Sequence, residues 1–217
     1  MAMFYNQITG GSIERLAALS DGIFAVAMTL LVLDLHGPVR EAIHGEADLR
    51  RALLAMSPQI VAYLMSFLTL GIFWNGQQAQ LNHFSRSNHR LTWIHLAFLF
   101  AVSIMPFSTR LLAEYILFRT ALVAYWANIL LLGAVLYASW RYARRAGLLK
   151  DDVSHEISCA VERRITGGQA LYALGALLCY FSNYLSIAFI VLVQLNYAIA
   201  PRFGRRRPES GAQPPEL

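Results

Sequence analysis

Charge is scarce in this chain. Only 14% of its 217 residues are charged and 57% are hydrophobic, whereas a soluble domain carries ~25% charged residues. The mean hydropathy is +0.45. That balance excludes a sizeable soluble domain and points to one compact bundle in a membrane. Chemistry-bearing patterns are missing too. There is no glycine-rich phosphate loop, no G-x-S-x-G, no H-E-x-x-H and no pair of carboxylates inside an apolar run. His83, His89 and His95 recur every six residues, so none forms an i, i+4 metal pair. The two cysteines, Cys159 and Cys179, lack metal-site spacing and read as ordinary thiols. Neither enzymatic activity nor a cofactor nor a resident metal is expected. No basic, apolar leader precedes Arg15, so the first apolar run is expected to stay in the mature protein.

What the chain does have is long apolar runs. A helix of ~20 apolar residues crosses the ~30 Å hydrocarbon core. Such runs fall at about 13–35, 57–76, 91–109, 120–140, 166–182 and 184–200. Ser12 is a candidate N-cap for the first, and His36-Gly37-Pro38 stops it. Pro58 stands in the first turn of the second, where its missing N–H costs nothing. From Thr166 to Ala200 there are 35 mostly apolar residues. One straight helix of that length would measure ~52 Å, too long for one crossing. A break near Ser182-Asn183 gives two short spans instead.

The expected fold class is therefore an all-α membrane protein with six transmembrane helices in one domain, residues 1–201. Residues 202–217 are expected to form a basic, disordered tail. With six spans, 13 of the 18 basic residues lie on the side of the two termini and 5 on the other. The positive-inside rule then places both termini in the cytoplasm. The formal net charge of +5 arises from arginines at span ends, so membrane topology accounts for it and no nucleic-acid partner is expected.

The run from Arg15 to Leu35 is the most informative. Counted at ~100° per residue from Val26, Gly22 lies at about −40°, Thr29 at −60°, Leu30 at +40° and Leu33 at −20°. Together with Val26 they make a narrow stripe, small and apolar, with one hydroxyl. Asp21 lies behind it at about −140°, and Arg15 is ~120° from Asp21, poorly placed to pair with it. An ionisable side chain in a span is expensive and needs partners. The topology brings Arg15, Ser20 and Asp21 to the depth of Trp74-Asn75, Gln78 and His95, so an inter-helix polar clasp is expected among these residues. Two readings of the clasp are open, structural glue or a part in conduction. Two are open for the stripe as well: a pore lining, or a packing face built on Ala18-x-x-x-Gly22 and Ala25-x-x-x-Thr29.

Arg15, Ser20 and Asp21 match R-x-x-x-F-S-D at the start of the first span, with Leu19 in place of the phenylalanine. In this motif and in outline the chain resembles the transmembrane protein 175 family of potassium channels. The resemblance implies a homotetramer in the cell (inner) membrane, whose first helices surround an axial pore permeant to potassium. It implies a hydrophobic constriction at Val26, a hydroxyl contributing to potassium preference at Thr29, and a further apolar position at Leu33. Leu30 shares their stripe. It also implies an inter-helix clasp of the kind just described. Besides Leu19, the chain departs from the family's usual pattern in three ways. It has Gln77-Gln78 where a histidine commonly follows the second-span tryptophan, it lacks an asparagine near His95, and it has Val26 where leucine or isoleucine is common. No T-V-G-Y-G-like loop is present to build a carbonyl filter. Two alternatives are a secondary or proton-coupled transporter and a structural membrane protein sharing the fold. The transporter needs a broken helix or a titratable midplane residue; Asp21 is the one candidate, and it lies near one end of its span.

The charge asymmetry sets a direct test. Reporter fusions after Arg202 and within Asp151 to Glu162 should both read cytoplasmic; an outside signal at either breaks the six-span topology.

Overall fold

A computed structural model describes residues 12–199, and the expectations for the N-terminal lead-in and for the basic tail at 202–217 lie outside the described residues. Seven α-helices follow one another among the described residues. Helix α1 spans Ile13–Leu33, and the Ser12 hydroxyl caps it by accepting the Arg15 N–H at 3.2 Å. A 3-10 turn at Arg40–Ala42 and the short α2, Glu46–Ala55, lead to α3, Ser57–His83. Then come α4, His89–Glu114, and α5, Arg119–Arg145. The bundle ends with α6, His155–Leu177, and α7, Asn183–Ile199.

Four helices are long and apolar enough to cross a membrane: α1, α3, α4 and α5. Helix α7 is apolar but shorter. Helix α6 starts eleven residues before the apolar run at 166, and its first half carries Glu156, Glu162, Arg163 and Arg164. The long C-terminal run is interrupted at Phe181 and Ser182, after a 3-10 turn at Leu178–Tyr180. The Asn183 amide donates to the Ile116 carbonyl at 3.1 Å, tying this corner to the corner between α4 and α5.

The helices outrun the hydropathy signal at several ends. Helix α3 continues from Gly76 to His83, through residues that read as a polar loop from sequence. It continues because Gln77, Gln80 and Leu81, spaced at i, i+3 and i+4, all face the core. Hydropathy marks where lipid begins, not where a helix stops finding protein to pack on.

The main core joins Phe24, Leu31, Met65, Phe73, Phe98, Met105, Tyr125, Ile129, Tyr172 and Ile190 from five of the long helices and α7. A buried polar string crosses it. Thr109 Oγ1 donates to Ser66 Oγ at 2.6 Å, Ser66 Oγ to the Tyr125 hydroxyl at 3.2 Å, and the Gln194 amide to Thr69 Oγ1 at 2.7 Å. These bonds link α3, α4, α5 and α7 where water cannot compete. A second, smaller cluster of Leu81, Phe84, Leu91, Trp140, Ala143 and Leu148 closes one end of the bundle. Gly147 makes it possible. It ends α5 in the left-handed region at φ 62°, so that its N–H meets the Arg144 carbonyl and the Leu148 N–H meets that of Ala143. The chain then turns back, and Ser85 N–H reaches the Leu148 carbonyl at 2.8 Å.

Helices α6 and α7 pack closely because Gly175 has no side chain. A Cβ there would fall 2.7 Å from Ile190 Cγ1 and 3.2 Å from Phe189 Cδ1, and the Ser186 hydroxyl already donates to the Gly175 carbonyl. Gly175→Val should therefore destabilise the protein by ~1–3 kcal/mol through overpacking. Thermal unfolding in detergent measures this, and an unchanged profile would mean that the two helices are held by other contacts.

Candidate functional site

Helix α1 is apolar nearly all round, so hydropathy does not say which face docks. The structure buries Leu16, Ser20, Phe24, Ala27 and Leu31 against α3 and α4. That face lies ~140° around the helix from Gly22, Val26, Thr29, Leu30 and Leu33. The whole stripe is left uncovered by its own subunit, with Val26 57% and Leu33 68% exposed. The small residues Ala18, Gly22 and Ala25 are exposed too, and a Cβ at Gly22 would meet nothing within 4 Å. The Thr29 hydroxyl donates back to the Ala25 and Val26 carbonyls, both at 2.9 Å. Its hydrogen is thus used by the helix, and its oxygen is left able to accept.

On its other side α1 is held by two polar contacts. The Asp21 carboxylate accepts the Trp74 indole N–H at 2.8 Å and the Gln78 amide at 2.6 Å through the same oxygen. One turn is enough to put Trp74, Gln77 and Gln78 on one face of α3, at i, i+3 and i+4. Gln77 carries the second contact. Its amide lies 2.7 Å from Ser20 Oγ and 2.8 Å from His95 Nε2 of α4, and Ser20 Oγ is 2.7 Å from the same imidazole nitrogen. With Nε2 assigned as the acceptor, the two N–H groups of the Gln77 amide serve Ser20 and His95 together. Ser20 Oγ is also 2.7 Å from the Leu16 carbonyl. Ser20, Gln77 and His95 are all buried.

Of the residues expected in the clasp, the structure brings Asp21 to Trp74 and Gln78, and Ser20 to His95. It adds Gln77, which the apparent polar loop had hidden; its i+3 spacing from Trp74 was the available signal. Arg15 and Asn75 stay outside. Both are exposed, and neither side chain makes a hydrogen bond or ion pair among the described residues. Asn75 is one residue past Trp74, which turns it ~100° off the clasp face. No group of three or more His, Cys, Asp or Glu side chains that could hold a metal occurs among the described residues.

An open apolar groove of about 570 Å³ runs beside the stripe. Ala18, Gly22, Val26 and Leu30 of α1 form one wall, and Leu96 and Phe100 of α4 line the other. Lipid-length apolar helices joined by buried polar bonds, with no strand among the named elements, define a multi-pass membrane protein of the helical-bundle class.

The chain belongs to the TMEM175 family. The family model described as endosomal/lysosomal potassium channel TMEM175 matches residues 15–106, which include every residue of the clasp and the stripe. Two curated relatives extend the likeness further. A potassium channel of Chamaesiphon minutus is 30% identical over 190 residues, covering 85% of this chain and 93% of that one. A potassium channel of Streptomyces collinus is 32% identical over 188 residues, covering 84% and 90%. A crystal structure described as that of a lysosomal potassium-selective channel TMEM175 homologue from Chamaesiphon minutus matches the fold with a TM-score of 0.74 at 26% identity. It covers 87% of this chain and 97% of its own.

The clasp generates a contrast between variants. Ser20→Ala removes the hydroxyl at the centre of a fully buried triad and should cost ~1–3 kcal/mol. Asn75→Ala removes no bond within the subunit and should shift stability by less than ~0.5 kcal/mol. Chemical or thermal unfolding in detergent compares them; equal losses would place Asn75 inside the clasp.

Proposed function

We propose that this protein is the subunit of a potassium-preferring cation channel, conducting passively through an axis lined by α1 from four identical copies. One observation carries the reading: the Val26, Thr29, Leu30 and Leu33 stripe faces away from its own subunit while the opposite face of α1 is clamped to α3 and α4. An apolar surface so exposed calls for cover by another copy or by lipid. Thr29 sets a ring of hydroxyl oxygens into it that only a central axis would use. The groove between α1 and α4 supplies the apolar wall on which a neighbouring subunit packs.

In this arrangement Val26 forms the constriction. A ring of valine side chains has no polar group to hold water, so it opposes conduction by dewetting. Thr29, one turn further along, offers oxygens that replace part of the ion's hydration. Leu33 forms a second apolar ring. Potassium is the permeant ion in this reading, which two relatives named as potassium channels support. The clasp serves as the fixed back on which the pore helix is mounted. Six crossings, with α6 and α7 as the last two, put both termini in the cytoplasm of a cell-membrane protein. The basic half of α6 then lies at the inner surface.

Reversal potentials under mixed-ion gradients test this reading. Val26→Asn hydrates the constriction and should raise flux roughly tenfold, equivalent to lowering the barrier by about 1.4 kcal/mol, with loss of selectivity. Thr29→Val keeps assembly and should lower the preference for potassium over sodium. Wild-type selectivity in both variants, in oligomers that still assemble, would remove the stripe from the pore.

A further inference from the structure

We propose that the cleft between α3, α5, α6 and α7 binds an anionic phospholipid, with part of an acyl chain against Phe73 and Leu136 and the phosphate against Arg164. No residue of α1 lines the site, and the proposal does not depend on the pore. The cleft has a volume of about 100 Å³. Its walls are mainly apolar, from Ile72, Phe73, Leu136, Val161 and Ile165, with polar groups from Gln80, Gln169 and two tyrosines, and Arg164 lines it too.

Two glycines open it. At Gly133 and Gly175 the space of a missing side chain is taken by a neighbour, Gln169 in one case and Ile190 in the other. At Gly76 and Gly168 it is not: a Cβ would meet only ordinary contacts, 3.7 Å from Leu136 and 3.6 Å from the Tyr197 hydroxyl. Both of these glycines line the cleft, so the room they leave belongs to it. A groove of this kind on a helix bundle in a bilayer is filled by the solvent at hand, an acyl chain, since an empty void forfeits dispersion contacts.

The charge selects among lipids. Arg144 is neutralised by Glu162 at 2.9 Å. Arg164 is exposed and has no acidic partner among the described residues. It sits two residues beyond Glu162, in the charged first half of α6 and just before the apolar run that begins at 166. A guanidinium so placed is matched by a phosphate that carries net charge, and poorly by a headgroup whose ammonium cancels it. The segment beyond Ala200 carries Arg202, Arg205, Arg206 and Arg207 against Glu209 and Glu216. It has the same net sign as this rim, which disfavours it as the occupant.

Native mass spectrometry of the full-length protein in mild detergent tests this. Phosphatidylglycerol and phosphatidylcholine with identical acyl chains are titrated separately. The wild type should retain phosphatidylglycerol at roughly tenfold lower concentration. Arg164→Gln should abolish that preference, and Gly168→Leu, which fills the cleft, should weaken retention of both lipids. Arg163→Gln, whose side chain does not line the cleft, should keep the preference. The proposal is overturned by any of three results. These are no preference in the wild type, an intact preference in Arg164→Gln, and equal losses in Arg163→Gln and Arg164→Gln, which would indicate a diffuse basic surface. Displacement of the bound lipid by inorganic phosphate alone would likewise overturn it, because the chain would then contribute nothing.

Discussion

Hydrocarbon offers a polar group no water, and the fold is arranged around that constraint. Helix α1 carries Ser20 and Asp21 near one end of an otherwise apolar run, and neither can be left facing lipid alone. Trp74 and Gln78 supply N–H donors to Asp21. Gln77 and His95 close on Ser20 from two different helices. These bonds do more than link six side chains. They fix the rotation of α1 about its own axis, which the hydrophobic effect could not do on a helix apolar nearly all round.

Fixing that rotation decides what the helix shows to the outside. Once Ser20 points at α3 and α4, Leu16, Phe24, Ala27 and Leu31 follow it inward at helical spacing. Val26, Thr29 and Leu33 are then turned away. A slip of one residue would carry Val26 through ~100° and bury part of the stripe. The clasp and the stripe are thus opposite sides of one helix, and fixing the first turns the second outward.

The remaining helices form a support with its own polar bonds. Thr109, Ser66, Tyr125, Thr69 and Gln194 cross-link it internally. Close approach through Gly175 keeps α6 against α7. Two glycines not filled by a neighbour, Gly76 and Gly168, line a cleft that Arg164 also lines.

Much of this was legible in the sequence. Low charge and long apolar runs specify a helical membrane bundle, because only helices and closed barrels satisfy the backbone in lipid. The 3.6-residue period places Val26, Thr29 and Leu33 on one stripe, and places Asp21 behind it, without any structure. The R-x-x-x-L-S-D segment marks where the clasp begins. Other features were not legible. Hydropathy ended the second run at Gly76 and so hid Gln77, since a glutamine buried against protein looks the same in sequence as one in a wet loop. Asn75 looked as suitable as Gln78 until the helix turned it aside. Whether the stripe packs within the subunit or faces outward also lay beyond periodicity, which gives angles within a helix but not between helices. That depended on which side of α1 met Gln77 and His95, side chains 57 and 75 residues away from Ser20 in the chain. Sequence determines what each helix can present; only the packing of three helices around one serine decided which face it does.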